Sequence, residues 1–484
     1  MPWPRYRLDR AGWAGLIEHL ARADWSLLGL WGEQAAVHVA LRDEDGGAIA
    51  VASLDCPDRR FLSLGAVRPA AIRLERAAHD LFGLEPENAV DTRPWLDHGR
   101  WRRDREPAAA PPAVDALNYP FLPVEAEGLH QIPVGPVHAG IIEPGHFRFH
   151  ANGETVVRLE ARLGYAHKGV EALMQGRGVD QAARLAGRLS GDSTVAHALG
   201  FARAVEAATE TYLPRRAHWL RALMAELERI ANHLGDIGAI CNDASFTFAH
   251  AHCGVMREAV LRVAGVCFGH RLMMDAVIPG GVACDLQSSG IAEIAALIEE
   301  VGGRFEDVVR IYDGKASLLD RTIGTGVTLS ELVHRFGAGG YVGRAAGRGL
   351  DARRNPGYPP YDDLDFEVPV MAEADVHARL WIRVEEVRQS LAIVWQILDH
   401  LPMGPIAVPV AARAGEGMAL IEAFRGEALW YVRLDERGLV ARAHPRDASW
   451  FQWPLLESAV LGNIVADFSL CNKSINGSYS GQDL

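Results

Sequence analysis

At 484 residues the chain is too long for one hydrophobic core and implies two or three domains. Its 49% hydrophobic and 23% charged residues are ordinary for a soluble globular protein. The net charge of −13 argues against nucleic acid or an anionic membrane surface as the main partner.

The opening MPWPRYRLDRAGW lacks the apolar core and small-residue cleavage site of a signal peptide. Farther on, the best membrane-span candidate, VLRVAGVCFGHRLMMDAVIPGG, is broken by Arg262, His270, Arg271 and Asp275. The expectation is a cytoplasmic chain, held at the membrane face only through partners. Residues 1–105 read as a small α+β domain. It has a helix in GWAGLIEHLARADW, alternating strands in AAVHVALRDEDGGAIAVASLDC, and a helix IRLERAAHDLFG stopped by Gly83. Residues 106–124, rich in Pro and Ala, read as an extended linker.

From residue 125 to 484 a mainly helical domain with small sheets is expected. HFRFHANGETVVRLEARLG alternates with period two around a turn at Ala151–Gly153 and predicts a strand pair. RAHWLRALMAELERIANHLGDIG carries Leu220, Leu223, Met224, Leu227, Ile230, Ala231 and Leu234 on one helical stripe. Glu226, Arg229 and His233 recur on another face and read as ion-paired structure. A second long helix is expected in ADVHARLWIRVEEVRQSLAIVWQIL, then strands in LWYVRLDERGLVARAHP and an irregular tail. None of the six cysteines forms a C-x-x-C pair, so no zinc ribbon or self-contained iron–sulfur site is encoded.

Four segments hold polar residues that neither a core nor a plain surface explains. They are GPVHAGIIEPGHFRF with His138, Glu143, His146 and Arg148; GYAHKGVEALMQGR with His167 and Glu171; RLSGDSTVAH; and the tail DFSLCNKSINGSYSGQDL. Taken alone, each is as well explained by structural hydrogen bonds, including a helix cap from Ser193 or Thr194.

In this order the segments resemble a known family. LERAAHDLFGLEPENAVDTRPW is similar to the signature of the complex I C-type subunit. GPVHAGIIEPGHFRF, LGYAHKGVEALM, AELERIANHL, GHRLMMDAVIPGGV, YDDLDFEVPV, ADVHARLWIRVEEVRQSL, EAFRGEALWYVRL and DASWFQWPLLESAVLGNIVADFSL are similar to its D-type partner. The chain resembles a fused C–D-type subunit of the group 4 nickel–iron hydrogenase and complex I superfamily, of the hydrogenase-4 and formate hydrogenlyase large-subunit kind. The resemblance implies an α+β fold: a small C-type domain followed by a hydrogenase-large-subunit domain.

The departures from that pattern are specific. The four nickel-binding cysteines of such hydrogenases fall on Ser190, Ser193, Ser478 and Gly481, and the terminal processing histidine is absent. Serine is a hard, high-pKa ligand and glycine has none, so no nickel–iron site is expected. In complex I the corresponding cavity takes a quinone headgroup between a histidine and a tyrosine. His138 or His146 matches the former, but the tyrosine position falls on Gly191. The small replacing residues favour an open cavity, lined also by Arg188 and His197. Glu143 matches the proton-passing glutamate of hydrogenases. With His138, His146 and Asp192 it forms an expected relay, its carboxyl raised if it is buried between Ile141 and Ile142, the alternative being a salt bridge to Arg148. Glu171 stands where hydrogenases hold magnesium, with a salt bridge to Lys168 the preferred reading.

The resemblance therefore implies an electron-transfer subunit of an NADH:quinone oxidoreductase-like membrane complex. This chain would bind no cofactor of its own, with quinone as a candidate acceptor. Its partners would be a small subunit bearing a [4Fe–4S] cluster and antiporter-like membrane subunits. A redox-silent coupling subunit is the alternative.

Overall fold

The computed structural model describes residues 2–484 except 45, 100, 102–118, 125–127 and 139–141. The linker thus lies mostly outside the described residues, as does Ile141.

Asp9 accepts the Gly12 amide and starts the helix Arg10–Leu20, which buries Trp13 and Leu20. A four-stranded sheet has the order Arg5–Leu8, Ile49–Asp55, Ala36–Asp43, Trp25–Glu33, with only the first pair parallel. The helix Ala71–Phe82 packs on it and ends at Gly83, whose φ of 67° is left-handed. The strand Trp25–Glu33 (WSLLGLWGE) does not alternate because both of its faces are buried. Its second face rests on the large domain. Trp31 lies 5.0 Å from Tyr431, and the Arg446 guanidinium donates to the Leu28 carbonyl at 2.6 Å. A Cβ on Gly29 would come within 2.8 Å of Leu429. The described end of the linker is fixed rather than free: Arg76 donates to the Tyr119 hydroxyl at 2.6 Å, and the Leu122 amide to Glu160 at 2.9 Å.

In the large domain the strands Leu129–Val134, His146–Asn152 and Thr155–Arg162 form an antiparallel sheet. The 29-residue helix Arg215–Asp243 is the centre, and the apolar stripe expected on it is fully buried. Thr247–Phe268 and Val376–His400 pack along it. A second antiparallel sheet, Gly415–Ala423, Gly426–Leu434 and Val440–Arg446, lies on the helix Thr194–Thr209. Contact there is close enough that a Cβ on Gly417 would collide with the Ala204 carbonyl oxygen.

The tail is helical where an irregular one was expected. Phe468–Ile475 is a helix ended by Asn476 at φ 47°, and Tyr479–Asp483 makes one more turn capped by Ser478. Among the described residues no helix is long and apolar enough to cross a membrane.

Candidate functional site

Ser190 precedes the short turn Gly191–Ser193 that leads into the helix Thr194–Thr209. The tail brings Ser478 to it, so that the two hydroxyl oxygens are 2.8 Å apart across 288 residues of sequence. Neither Ser193 nor Thr194 caps the helix. Glu228 does so instead, accepting the Val195 and Ala196 amides at 2.7 and 3.0 Å, and burial pushes its carboxyl up to about 8.

The hydrogen bonds run in one direction. The Gly481 amide donates to Ser478 Oγ at 2.9 Å, and the Ser478 hydroxyl is shared with Ser190. Ser190 donates to Asp192 Oδ1 at 2.8 Å, and Asp192 is gripped through both oxygens by Arg425 at 2.8 and 2.6 Å. Ser193 Oγ accepts from Arg425 at 3.2 Å. Burial raises the Asp192 carboxyl, but Arg425 more than reverses this and holds it below the usual carboxylate range.

The four expected positions therefore meet, but as a hydroxyl–carboxylate–guanidinium chain. Three serine oxygens and a glycine do not fit nickel, which wants thiolate. The serine cluster itself is filled, and open space lies beside it, where Asp192, Glu228 and Arg257 line a cavity. Ser190, Ser193 and Ser478 are buried, and a Cβ on Gly481 would sit 2.9 Å from Asp447 Cγ. Asp447 occupies that space because His197 Nε2 and the Ser449 amide hold it, at 3.0 and 2.8 Å. His197 lies behind it, its Nδ1 taking the Trp430 indole N–H at 3.3 Å.

Other expected residues lie differently. Glu143 is exposed rather than buried and accepts the Ser480 amide at 3.0 Å, while Arg148 turns to Gln131 instead of to Glu143. His146 is on the wrong face of its strand. Side chains alternate, so Phe147 packs against Tyr479 and Trp453, and His146 points the other way toward Phe121. Burial lowers its pKa. Arg188 is exposed and bound to Asp275 at 2.6 and 2.7 Å, away from the serines. Glu171 pairs with Arg442 at 2.9 Å and His444 at 2.6 Å. A guanidinium thus stands beside it in place of a metal. Lys168, its expected partner, donates to the Leu189 carbonyl at 2.7 Å.

Three residues carry the site without having been expected in it. Arg425 and Asp447 sit in quoted motifs, but only folding brings their charges to the serines. Tyr479 is the third. Its hydroxyl is 3.4 Å from His138 Nε2, its ring packs on Trp453 at 4.7 Å, and burial pushes its phenol up. Beside it Asp483 accepts the Gly164 and Ala166 amides at 2.8 and 2.9 Å, with burial pushing its carboxyl up to about 7.

A helical large domain that clamps a C-terminal tail against a loop at the start of a core helix defines a hydrogenase-type large subunit. Residues 168–235 match the nickel-dependent hydrogenase family, and residues 243–414 match the 49-kDa subunit of respiratory-chain NADH dehydrogenase. The chain belongs to the family that joins these two, the large subunits of group 4 hydrogenases and their complex I counterparts. It is 30% identical over 350 residues to the carbon monoxide-induced hydrogenase of Rhodospirillum rubrum, a match covering 72% of this chain and 97% of that one. It is 29% identical over 433 residues to formate hydrogenlyase subunit 5 of Escherichia coli K12, covering 86% and 75%. A solved chain of the membrane-bound sulfane sulfur reductase, an archaeal respiratory membrane complex, superposes with a TM-score of 0.70 at 26% identity. That match covers 76% of this chain and all of the other.

Proposed function

We propose that the chain is the nickel-free large subunit of a membrane-associated oxidoreductase. It takes electrons from the [4Fe–4S] cluster of a small partner subunit and delivers them to a quinone or another small acceptor. The relatives support the class, since they are named as parts of hydrogenases, NADH–quinone oxidoreductases and a respiratory membrane complex. The carrying observation is the loss of all four thiolates at positions that still meet in space.

The acceptor's place is the rim rather than the closed serine cluster. There His138 and Tyr479 present an imidazole and a phenol 3.4 Å apart, with Glu143 on the Ser480 amide beside them. A bound carbonyl oxygen would take hydrogen bonds from both, and a proton from them as electrons arrive. Glu143, exposed to water, would return protons to the pair, which couples reduction to proton uptake. In the whole complex, Y479F should lower acceptor reduction about 100-fold, the lower end for a lost general acid. Unchanged turnover in both Y479F and H138Q would overturn the acceptor site.

One observation favours a redox-silent coupling subunit instead: the contact of Ser190 with Ser478 closes the former metal site to any ligand. In that case neither variant alters electron transfer, and only assembly with the membrane arm depends on this chain.

A further inference from the structure

Three segments of the large domain meet at the surface and bring six large apolar side chains into the open. Ile323, Val327 and Leu329 stand on the loop between the helices Ala316–Thr322 and Ser330–Phe336. Leu461 and Ile464 stand on the turn before the tail, and Val157 on the strand Thr155–Arg162. Each of the six is 40–60% exposed. Hydrogen bonds hold the segments together. The Gly326 amide donates to Asn463 Oδ1 at 3.1 Å, and Arg321 to Asp467 at 2.8 Å. The Val156 amide donates to the Asn463 carbonyl and the Val465 amide to that of Glu154, both at 2.9 Å, while Thr155 bridges to Ile464. Register shifts between His150 and Ala151, so Val157 is the extra residue of a bulge and turns outward.

The patch is large and poor in charge. At these exposures it offers roughly 500 Å² of surface, the upper part of the range for the largest apolar patch on a monomer and over half of one side of a standard protein interface. Across 321–330 and 460–467 the charged residues are Arg321 and Asp467, which pair with each other. The rim differs. Glu154, Asp320 and Glu331 are exposed, and among the described residues no cation is paired with them. The bases that flank these segments turn elsewhere: Lys315 lies over Phe246 at 5.9 Å, Arg335 faces Arg68 of the first domain, and Arg158 lies in register with His150 across the sheet.

We propose that this patch seats a cytoplasmic loop of a membrane subunit, one that presents an apolar centre flanked by Lys or Arg. Cytoplasmic loops of membrane proteins carry an excess of those residues, and an acidic rim attracts them. The same rim opposes other occupants. A second copy would bring like charges together, and an anionic lipid surface is repelled both by the rim and by the net charge of −13. The patch also adjoins the acceptor end of the molecule. Phe468, next to Asp467, packs on Phe147 at 4.9 Å, and Phe147 packs on Tyr479 at 6.5 Å. A membrane subunit held here stands beside the His138–Tyr479 rim. The docking rests on the membrane-associated reading of the chain but not on the identity of its acceptor.

The test is site-specific photocrosslinking in the whole complex, with a benzophenone amino acid in place of Ile464 or Leu329, both too exposed for the exchange to disturb the core. The expected product joins this chain to a loop of one membrane subunit, identified by mass spectrometry of the crosslinked peptide. The same group in place of Tyr212, exposed outside the patch, should not form it. I464E with L329E puts two carboxylates into the apolar centre and should cut the membrane-retained share of the complex about tenfold. E154K with E331K should weaken retention in a way that added salt relieves. A product with a soluble subunit, a second copy or lipid, or no product at all, overturns the proposal, and so does full retention of the I464E/L329E complex. None of these readouts uses acceptor turnover, so they stand apart from the failure or success of Y479F.

Discussion

Ser478 decides whether the tail is held by the hydrogen-bond chain or merely packed beside it. Its hydroxyl accepts the Gly481 amide at 2.9 Å and meets Ser190 at 2.8 Å. S478A removes the cap of the last helical turn, worth about 1 kcal/mol. It also leaves a buried Gly481 N–H without an acceptor, which costs about 1–3 kcal/mol. The two overlap, so about 2 kcal/mol of tail anchoring should be lost. Hydrogen exchange at the amides of residues 479–484 in the assembled complex should then accelerate about 30-fold. S190A is the control. Ser478 keeps its role as cap and Asp192 keeps Arg425; the Ser190 bond to Asp192 is lost too, but the tail itself loses only its one neutral bond to Ser190, about 1 kcal/mol and about fivefold in exchange. Equal effects from the two variants, or no effect from S478A, would refute the directed chain.

The Arg442 and His444 pairing of Glu171 leaves no ligand-poor carboxylate for magnesium, so a chelator should not change the thermal midpoint of the complex; a drop on adding EDTA would contradict this. Asp483, pushed up to about 7, binds its proton more tightly folded than unfolded. Tail stability is therefore complete below the ordinary aspartate range and falls as the pH rises toward 7. D483N should flatten that part of the midpoint-versus-pH curve, and an unchanged slope would refute the assignment.

Much of this was legible in the chain. Period 3.6 gave the stripe from Leu220 to Leu234, and the out-of-phase Glu226, Arg229 and His233 are ion-paired as read. Ser190, Ser193, Ser478 and Gly481 meet because the tail returns to the loop, a return that the family resemblance implied. What local pattern does not encode is which charges fold onto that point. Arg425 is brought there by a turn between two strands, Asp447 by the end of a third, and neither stands out from many other acidic and basic residues in the sequence. The side of His146 could be read from the alternation that places Phe147 inward, but only once the tail was known to lie on the Phe147 face. Tyr479 was hidden because the phenol opposite His138 comes from the C-terminus and not from the 188–193 loop. Trp25–Glu33 was hidden because its outer face is covered by a domain more than 300 residues later.

The most direct test of the account is nickel analysis combined with acceptor turnover on one preparation of the purified whole complex. Acceptor reduction without stoichiometric nickel in the wild type, lost in Y479F, is the predicted result. One nickel per chain, or turnover that is indifferent to Tyr479, would contradict it.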